Sequence, residues 1–418
     1  MAIPGSIRTI VLALVVWLTQ TLPAAGQAAS STEPQAPRTV DALDILSWLR
    51  HKPRHLPPPK DEAELRKPSV VFAPSFGYQP VTGLALGVNA NLALTLGDPA
   101  TTHMSTVASG AQVTLQKAGG LSTDVSLFAN HDAWYIEGTN LFQVWAQDTG
   151  GIGPDTTPSD ALNVRFHFLR LYETAYRRIL RRLFAGAGLN VGAHTNIEPG
   201  PTEADEWFNS PYMRYTLEHG FDPEGQRSNG VNVSVLLDSR DNSINPDRGW
   251  FGKASYRGFF KGLWGGASDW QEVVLDLRTY VKVTRNARQK IAVRAFADLV
   301  TAGVPPYFDL PATGMDSTWR LGRGYSQGRF RGQRFLYGEA EYRATLSRYG
   351  IVGMVAFFNM QAVGSGASHG ASLYEVSPAA GGGIRLLLDK RSRTNLCLDV
   401  GFGKGGSRGV YLAFQEAF

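Results

Sequence analysis

Cysteine, charge and long apolar runs are all scarce in this chain, and each shortage removes a class of protein. A single cysteine, Cys397, leaves no intrachain disulfide and no thiolate metal cluster. Charged residues make up 18% of 418 positions, below the roughly 25% usual for soluble domains. Yet beyond the N-terminal region no stretch approaches the ~18 uninterrupted apolar residues of a helical membrane span. The formal net charge is only +5, and no basic patch interleaved with aromatics marks a nucleic-acid surface. No HExxH occurs and the eight histidines show no ligand spacing, so no metal or other cofactor is expected.

What the chain does have is glycine, at 46 positions, together with 21 Phe, 15 Tyr and 9 Trp. A membrane protein without a helical span has one physical option, a closed β-barrel, because lipid leaves no backbone group free to stay unpaired. Aromatic girdles and glycine-rich turns fit such a barrel. The N-terminus reads as a secretory signal peptide over residues 1–28: one basic residue up to Arg8, an apolar run Thr9–Leu18, and small residues before Ala28. Residues 29–68 read as a short periplasmic segment and linker, with an amphipathic helix over Asp41–Leu49 followed by Pro53, Pro57, Pro58 and Pro59. Residues 69–418 read as the barrel, and the whole implies export to the outer membrane of a Gram-negative cell.

From Ser69 the hydrophobic period switches to two. Leu84, Leu86, Val88, Ala90, Leu92 and Leu94 alternate with small or polar residues, as a wall between lipid and a wet lumen requires. About sixteen such segments follow one another, an antiparallel, all-β fold. If Phe418 ends the sixteenth strand at the periplasmic side, the short turns share that side. The long connections near 195–229 and 300–332 then lie on the opposite, extracellular side.

Three local patterns carry more. The run Leu237 to Trp250 contains Asp238, Arg240, Asp241, Asn242, Pro246 and Gly249, a compact turn in which Asn and Asp bond nearby backbone, Pro fixes φ and Gly permits φ > 0. The run Leu321 to Gly332 contains Arg323-Gly324-Tyr325. The last strand places Val410, Leu412, Phe414 and Phe418 on one face, interrupted by Glu416, and Tyr411 on the other. Together these resemble the barrel of the BamA/TamA outer-membrane assembly superfamily, also called the bacterial surface antigen family. The resemblance implies that the Arg323-Gly324-Tyr325 tip folds back into the lumen and meets acidic wall residues. Glu341 matches the first of these; Asn359 stands where an aspartate is expected, which removes one charge from the anchor. It also implies that Tyr411, Phe414 and Phe418 form the C-terminal signal read by the barrel assembly machinery.

Superfamily members with periplasmic POTRA domains insert barrels or move polypeptides; this chain is expected to lack those domains. The expected function is therefore assistance in protein insertion, translocation or outer-membrane remodelling, with a passive pore or structural barrel as the alternative. Expected partners are outer-membrane lipid or lipopolysaccharide, the assembly machinery, and a periplasmic or outer-membrane protein. No enzyme is expected. Gly366-Ala367-Ser368-His369-Gly370 satisfies G-x-S-x-G without a following helix. Gly401, Gly403 and Gly406 satisfy G-x-G-x-x-G between two strands, outside any βαβ unit.

Overall fold

The computed structural model describes residues 39–42, 44–45, 68–79, 83–98, 101–115, 118–153, 156, 161–200, 204–284, 288–316, 320–364, 375–390 and 392–418. The signal-peptide region, most of the linker and the Gly366–Gly370 stretch lie outside these residues. Sixteen strands follow in order: β1 (Ser69–Gln79), β2 (Gly83–Leu94), β3 (Ser105–Thr114), β4 (Gly119–Ala129), β5 (Trp134–Thr149), β6 (Leu162–Leu180), β7 (Leu183–Pro199) and β8 (Gly225–Asp238). The second half comprises β9 (Gly249–Phe259), β10 (Trp270–Lys282), β11 (Gln289–Gly303), β12 (Arg334–Thr345), β13 (Val352–Gly364), β14 (Glu375–Asp389), β15 (Thr394–Gly403) and β16 (Arg408–Phe414). Each pairs antiparallel with the next in one barrel-like sheet. Among the described residues no ladder joins β16 to β1, although their Cα atoms approach within 8 Å. No described helix is long and apolar enough to cross a membrane.

Strict alternation makes the wall. On β13, Val355, Phe357, Asn359, Gln361 and Val363 point inward and are buried, while Met354, Phe358 and Met360 point outward and are exposed. Outward apolar side chains of this kind coat the sheet, the reverse of a soluble sandwich, in which such residues would be covered.

Strand boundaries depart from the sequence reading at the turns. The β4–β5 turn is short because β5 already begins at Trp134, and β6 runs on to Leu180, leaving only a two-residue turn before β7. Phe418 is a larger departure. β16 stops at Phe414, Gln415 takes a positive φ of 68°, and the chain turns inward. Phe418 is buried against Tyr280 and Ala292 and does not share the outer face of Val410. The reason is Glu416: continued alternation would leave its carboxylate on the apolar outer face, whereas the inward turn brings it to Arg385 and Arg343.

The two longest described connections also turn inward. After β7, helices α1 (Ala204–Phe208) and α2 (Pro211–Glu218) pack on the mouth; Ser210 caps α2 by accepting from the Met213 N–H at 3.2 Å, and Pro211 opens the helix. Tyr212 and Met213 of α2 join a buried cluster with Tyr307, Phe308 and Leu310 from the β11–β12 connection. Of the expected helix near the N-terminus, Ala42, Asp44 and Ile45 are helical. Its start is fixed by reciprocal side-chain–backbone bonds between Asp41 and Asp44.

Candidate functional site: the lumen loop and the last strands

The β11–β12 loop folds into the sheet's interior and is braced by its own backbone: the Thr313 N–H donates to the Phe330 carbonyl at 2.9 Å, and the Gly328 N–H to the Thr313 carbonyl at 2.8 Å. Its tip lies against β14, β15 and β16. Gly324 sits at φ +108°, and a Cβ there would come within 2.8 Å of the Ala379 Cβ. The facing Gly401 is equally constrained, since its Cβ would meet the Gly324 nitrogen at 2.8 Å. Of the glycines that mimic a dinucleotide motif, Gly401 and Gly403 thus make room for the loop, whereas Gly406 faces open space. The Gly324 N–H donates to the Tyr411 hydroxyl at 3.0 Å, and that hydroxyl donates to the Tyr325 carbonyl at 3.2 Å.

Arg323 is fully buried. Its Nη1 donates to Asp399 Oδ2 at 2.5 Å, its Nη2 pairs with both Glu339 and Glu341, and its Cζ lies 3.8 Å from the Phe357 ring centroid. Asn359, also buried, holds the loop by backbone: its Nδ2 donates to the Arg323 carbonyl at 2.9 Å. The structure therefore brings Arg323, Gly324, Tyr325, Glu341, Asn359 and Tyr411 together. The charge expected to be missing at Asn359 is supplied by Glu339 and Asp399, which the motif did not reveal.

The network continues to the chain's last residues. Arg343 Nε donates to Glu341 Oε2 at 2.6 Å, and its Nη2 to the Phe418 carbonyl at 2.9 Å. Arg385 donates to Asp399 Oδ1 at 2.5 Å and to Glu416 Oε2 at 2.8 Å. Arg320, three residues before Arg323, donates from Nη2 to the carbonyls of Gln415 and Glu416 at 3.0 and 3.1 Å. Four guanidiniums (Arg320, Arg323, Arg343 and Arg385) thus stand among four carboxylates (Glu339, Glu341, Asp399 and Glu416). Removing charges from water is tolerable only with such matching. Phe414 stays on the outer face, whereas Tyr411 and Phe418 face inward.

The Asp238–Gly249 turn lies at the end of the sheet where β16 finishes. Asp238 takes a forked pair of bonds from Arg240 at 2.9 and 2.6 Å. Asn242 Oδ1 accepts from the N–H groups of Ile244 and Asn245 at 2.9 and 2.7 Å. Gly249 has φ +114°. Burial alone would raise the Asp241 carboxyl pKa, but the N–H groups of Asp247 and Arg248, with Arg393, hold it below the usual range. Lys290 of β11 reaches the Pro246 carbonyl at 2.9 Å, and Arg393, from the β14–β15 turn, reaches Asp241 at 3.2 Å. The turn is thereby drawn across the sheet's interior end. At the same end Ser69 donates to Asp389 at 3.1 Å and Asn91 to Thr394 at 3.2 Å, bridging β1 and β2 to the β14–β15 turn.

No group of three or more His, Cys, Asp or Glu among the described residues has the arrangement of a metal site. Cys397 is buried and its Sγ contacts the Gln415 carbonyl at 3.0 Å.

These features define a class: a sixteen-stranded antiparallel barrel-like sheet with an arginine-bearing loop drawn inside and anchored near its last strands. No family model matches the chain, and no curated protein does. Among solved structures, the fold is similar to that of BamA from Haemophilus ducreyi lacking POTRA domains 1–3. The TM-score is 0.51 at 12% identity, over 84% of this chain and 69% of that one. It is also similar to CdiB from Escherichia coli, with TM-score 0.50 at 11% identity over 83% of this chain and 62% of that one. For CdiB from Acinetobacter baumannii the TM-score is 0.51 at 11% identity, with 83% and 59% covered. The chain thus spans about three-fifths of the CdiB structures. It shares the barrel fold of BamA and CdiB, in keeping with the motifs; at these identities the likeness establishes fold.

Proposed function

We propose that this protein is an outer-membrane barrel of the BamA/TamA type, exported through a cleaved signal peptide, that assists the insertion or translocation of protein clients. The observation that carries the reading is the unladdered boundary between β1 and β16. Unpaired strand edges are templates for another chain, and in lipid an open edge demands a partner. The edge at β16 is controlled from inside: Arg320 holds the carbonyls just past it and Tyr411 holds the loop tip. In this reading Arg323, Gly324, Tyr325, Glu341 and Asn359 anchor the loop, the Asp238–Gly249 turn organises the periplasmic end, and Tyr411, Phe414 and Phe418 guide the protein's own assembly. The test is a disulfide between cysteines placed in β1 and β16, with Cys397 replaced, in proteoliposomes supplied with an unfolded barrel client. Locking should abolish client insertion and reduction restore it; unchanged insertion would sink the proposal.

A passive pore is the second reading, favoured by the hydrophilic inner face of β2–β4, where Asn89, Gln112, Ser122 and Asp124 line the interior. It expects planar-bilayer conductance to rise when residues 304–332 are deleted, with no client insertion.

A further inference from the structure

The outer wall is not uniformly apolar. Across β11 to β16 the mid-strand outward positions carry Ile, Leu, Val, Phe, Tyr, Met, Ala, Gly and one Pro, with no carboxylate, amide or aliphatic hydroxyl among the described residues. On β3 to β6 the pattern breaks. Ser109, Thr123, Asn140 and Glu173 occupy outward positions on four successive strands and form one row. Ser109 pairs with Thr123 across β3–β4 and Thr123 with Asn140 across β4–β5. The two hydroxyls lie 3.1 Å apart, and Asn140 Nδ2 donates to Glu173 Oε1 at 2.7 Å. Parity fixes the outward direction, because the neighbours of Glu173 on β6, Tyr172 and Thr174, face the interior.

The row lies well inside the apolar band. β4 ends at Ala129, β5 begins at Trp134 and β6 ends at Leu180, so Thr123, Asn140 and Glu173 sit six or seven residues from the same end. At roughly 3.3 Å per residue and a tilt of about 40°, that is about 15 Å from the strand ends, and Glu173 is about 10 Å from the outward Arg177 that borders the apolar band there. Exposed Ile136 lies toward that end, and exposed Leu121, Phe142 and Leu171 lie beyond the row. The site is also built: the Glu173 side chain lies flat over Gly138, where a Cβ would run into Oε2. Any side chain at Gly138 would lift the carboxylate off the wall.

Polar groups facing lipid are costly, and within membranes hydrogen bonds and close approach at small residues are what hold segments together. We propose that this row is the contact surface between two copies of the chain. A closed symmetric pair of inserted copies with the same orientation is related by a two-fold axis along the membrane normal, which preserves depth and reverses the row laterally. With the axis between β4 and β5, Asn140 of each copy meets Thr123 of the other, while Ser109 and Glu173, four and seven residues from that end, flank the pair at different depths. The Asn140 amide of each copy then faces the Thr123 hydroxyl of the other, and the two carboxylates sit at opposite ends of the contact. The complementarity of this central pair with its own reverse is what favours a second copy over another membrane protein.

The proposal rests on the membrane-barrel reading, and the experiment separates the two. The full chain is fractionated with outer membranes, and its association is then measured in lipid nanodiscs. The variant Thr123→Val/Asn140→Leu/Glu173→Leu is measured alongside, with heat-modifiable gel mobility reporting that it is folded. Wild type is expected to dimerise, and the folded variant to associate at least about tenfold more weakly. An inserted wild type that stays monomeric, including one that instead recruits a different membrane protein through the row, overturns this proposal alone. So does a dimer that the variant retains undiminished. A chain that remains soluble overturns the membrane reading and the dimer with it.

Discussion

Arg323 illustrates how much one side chain can hold. It meets three buried carboxylates and an aromatic face, and its own carbonyl is tied to Asn359. Truncation to alanine would leave those carboxylates facing one another in a dry interior, a loss of about 3–5 kcal/mol. Arg323→Ala is therefore expected to lower the temperature at which the folded band converts on a semi-native gel, whereas Glu375→Ala, on an exposed pair with Lys404, should leave it unchanged. A second residue-level effect is pH-dependent. The hydrogen bond with Asp132 raises the His103 pKa above 6.5. Burial alone would raise the Asp132 pKa, but the side-chain and backbone hydrogen bonds from His103 outweigh it and lower that pKa. The histidine's contribution is complete below about pH 6.5 and is lost as pH rises through its raised pKa; the aspartate's is complete above about pH 4 and is lost below its depressed one. Thermal unfolding of Asp132→Asn should therefore differ from wild type most near pH 5–6 and converge with it as the solution becomes alkaline. A constant difference across that range would exclude the pair as the cause.

Among the elements, the strands were legible because an apolar outer face and a more polar inner one impose a period of two. Their ends were less so. β6 runs to Leu180 through Arg177 and Arg178, and the outward Arg177 beside Trp134 interrupts the apolar alternation by which a strand's end is read. The lumen loop was half legible. Arg323 and Glu341 belong to a local pattern, and Glu339 shares the face of Glu341 two residues away, a signal that parity alone offered. Asp399 depends on which strand the loop tip reaches, which is information spread over the register of β14 and β15. Glu416 was visible only as a break in an apolar face, because the backbone turn at Gln415 that makes sense of it has no glycine to announce it. The close approach of loop and wall gives an element-scale prediction. Gly401→Val should displace the tip at a cost of about 1–3 kcal/mol, and residues 304–333 should become sensitive to protease in intact membranes. Continued protection would mean that the loop is held by its arginines and not by its fit.

For the whole molecule, the sixteen-strand count and the inward loop follow from sequence pattern, whereas the open boundary between β1 and β16 does not. Both edge strands alternate in sequence as the others do, so no local pattern marks the missing ladder between them. The interior is tied together from both directions: loop to β12, β15 and β16 through the arginine–carboxylate cluster, and the Asp238–Gly249 turn to β11 and the β14–β15 turn through Lys290 and Arg393. In the proposed function this bracing keeps the sheet's shape while the β1–β16 boundary parts, as acting on another chain there requires. The most direct measurement is therefore client insertion by proteoliposomes carrying the β1–β16 disulfide. Insertion is expected to fall to background when the boundary is oxidised and to return on reduction; full insertion through a locked boundary would contradict the proposed function.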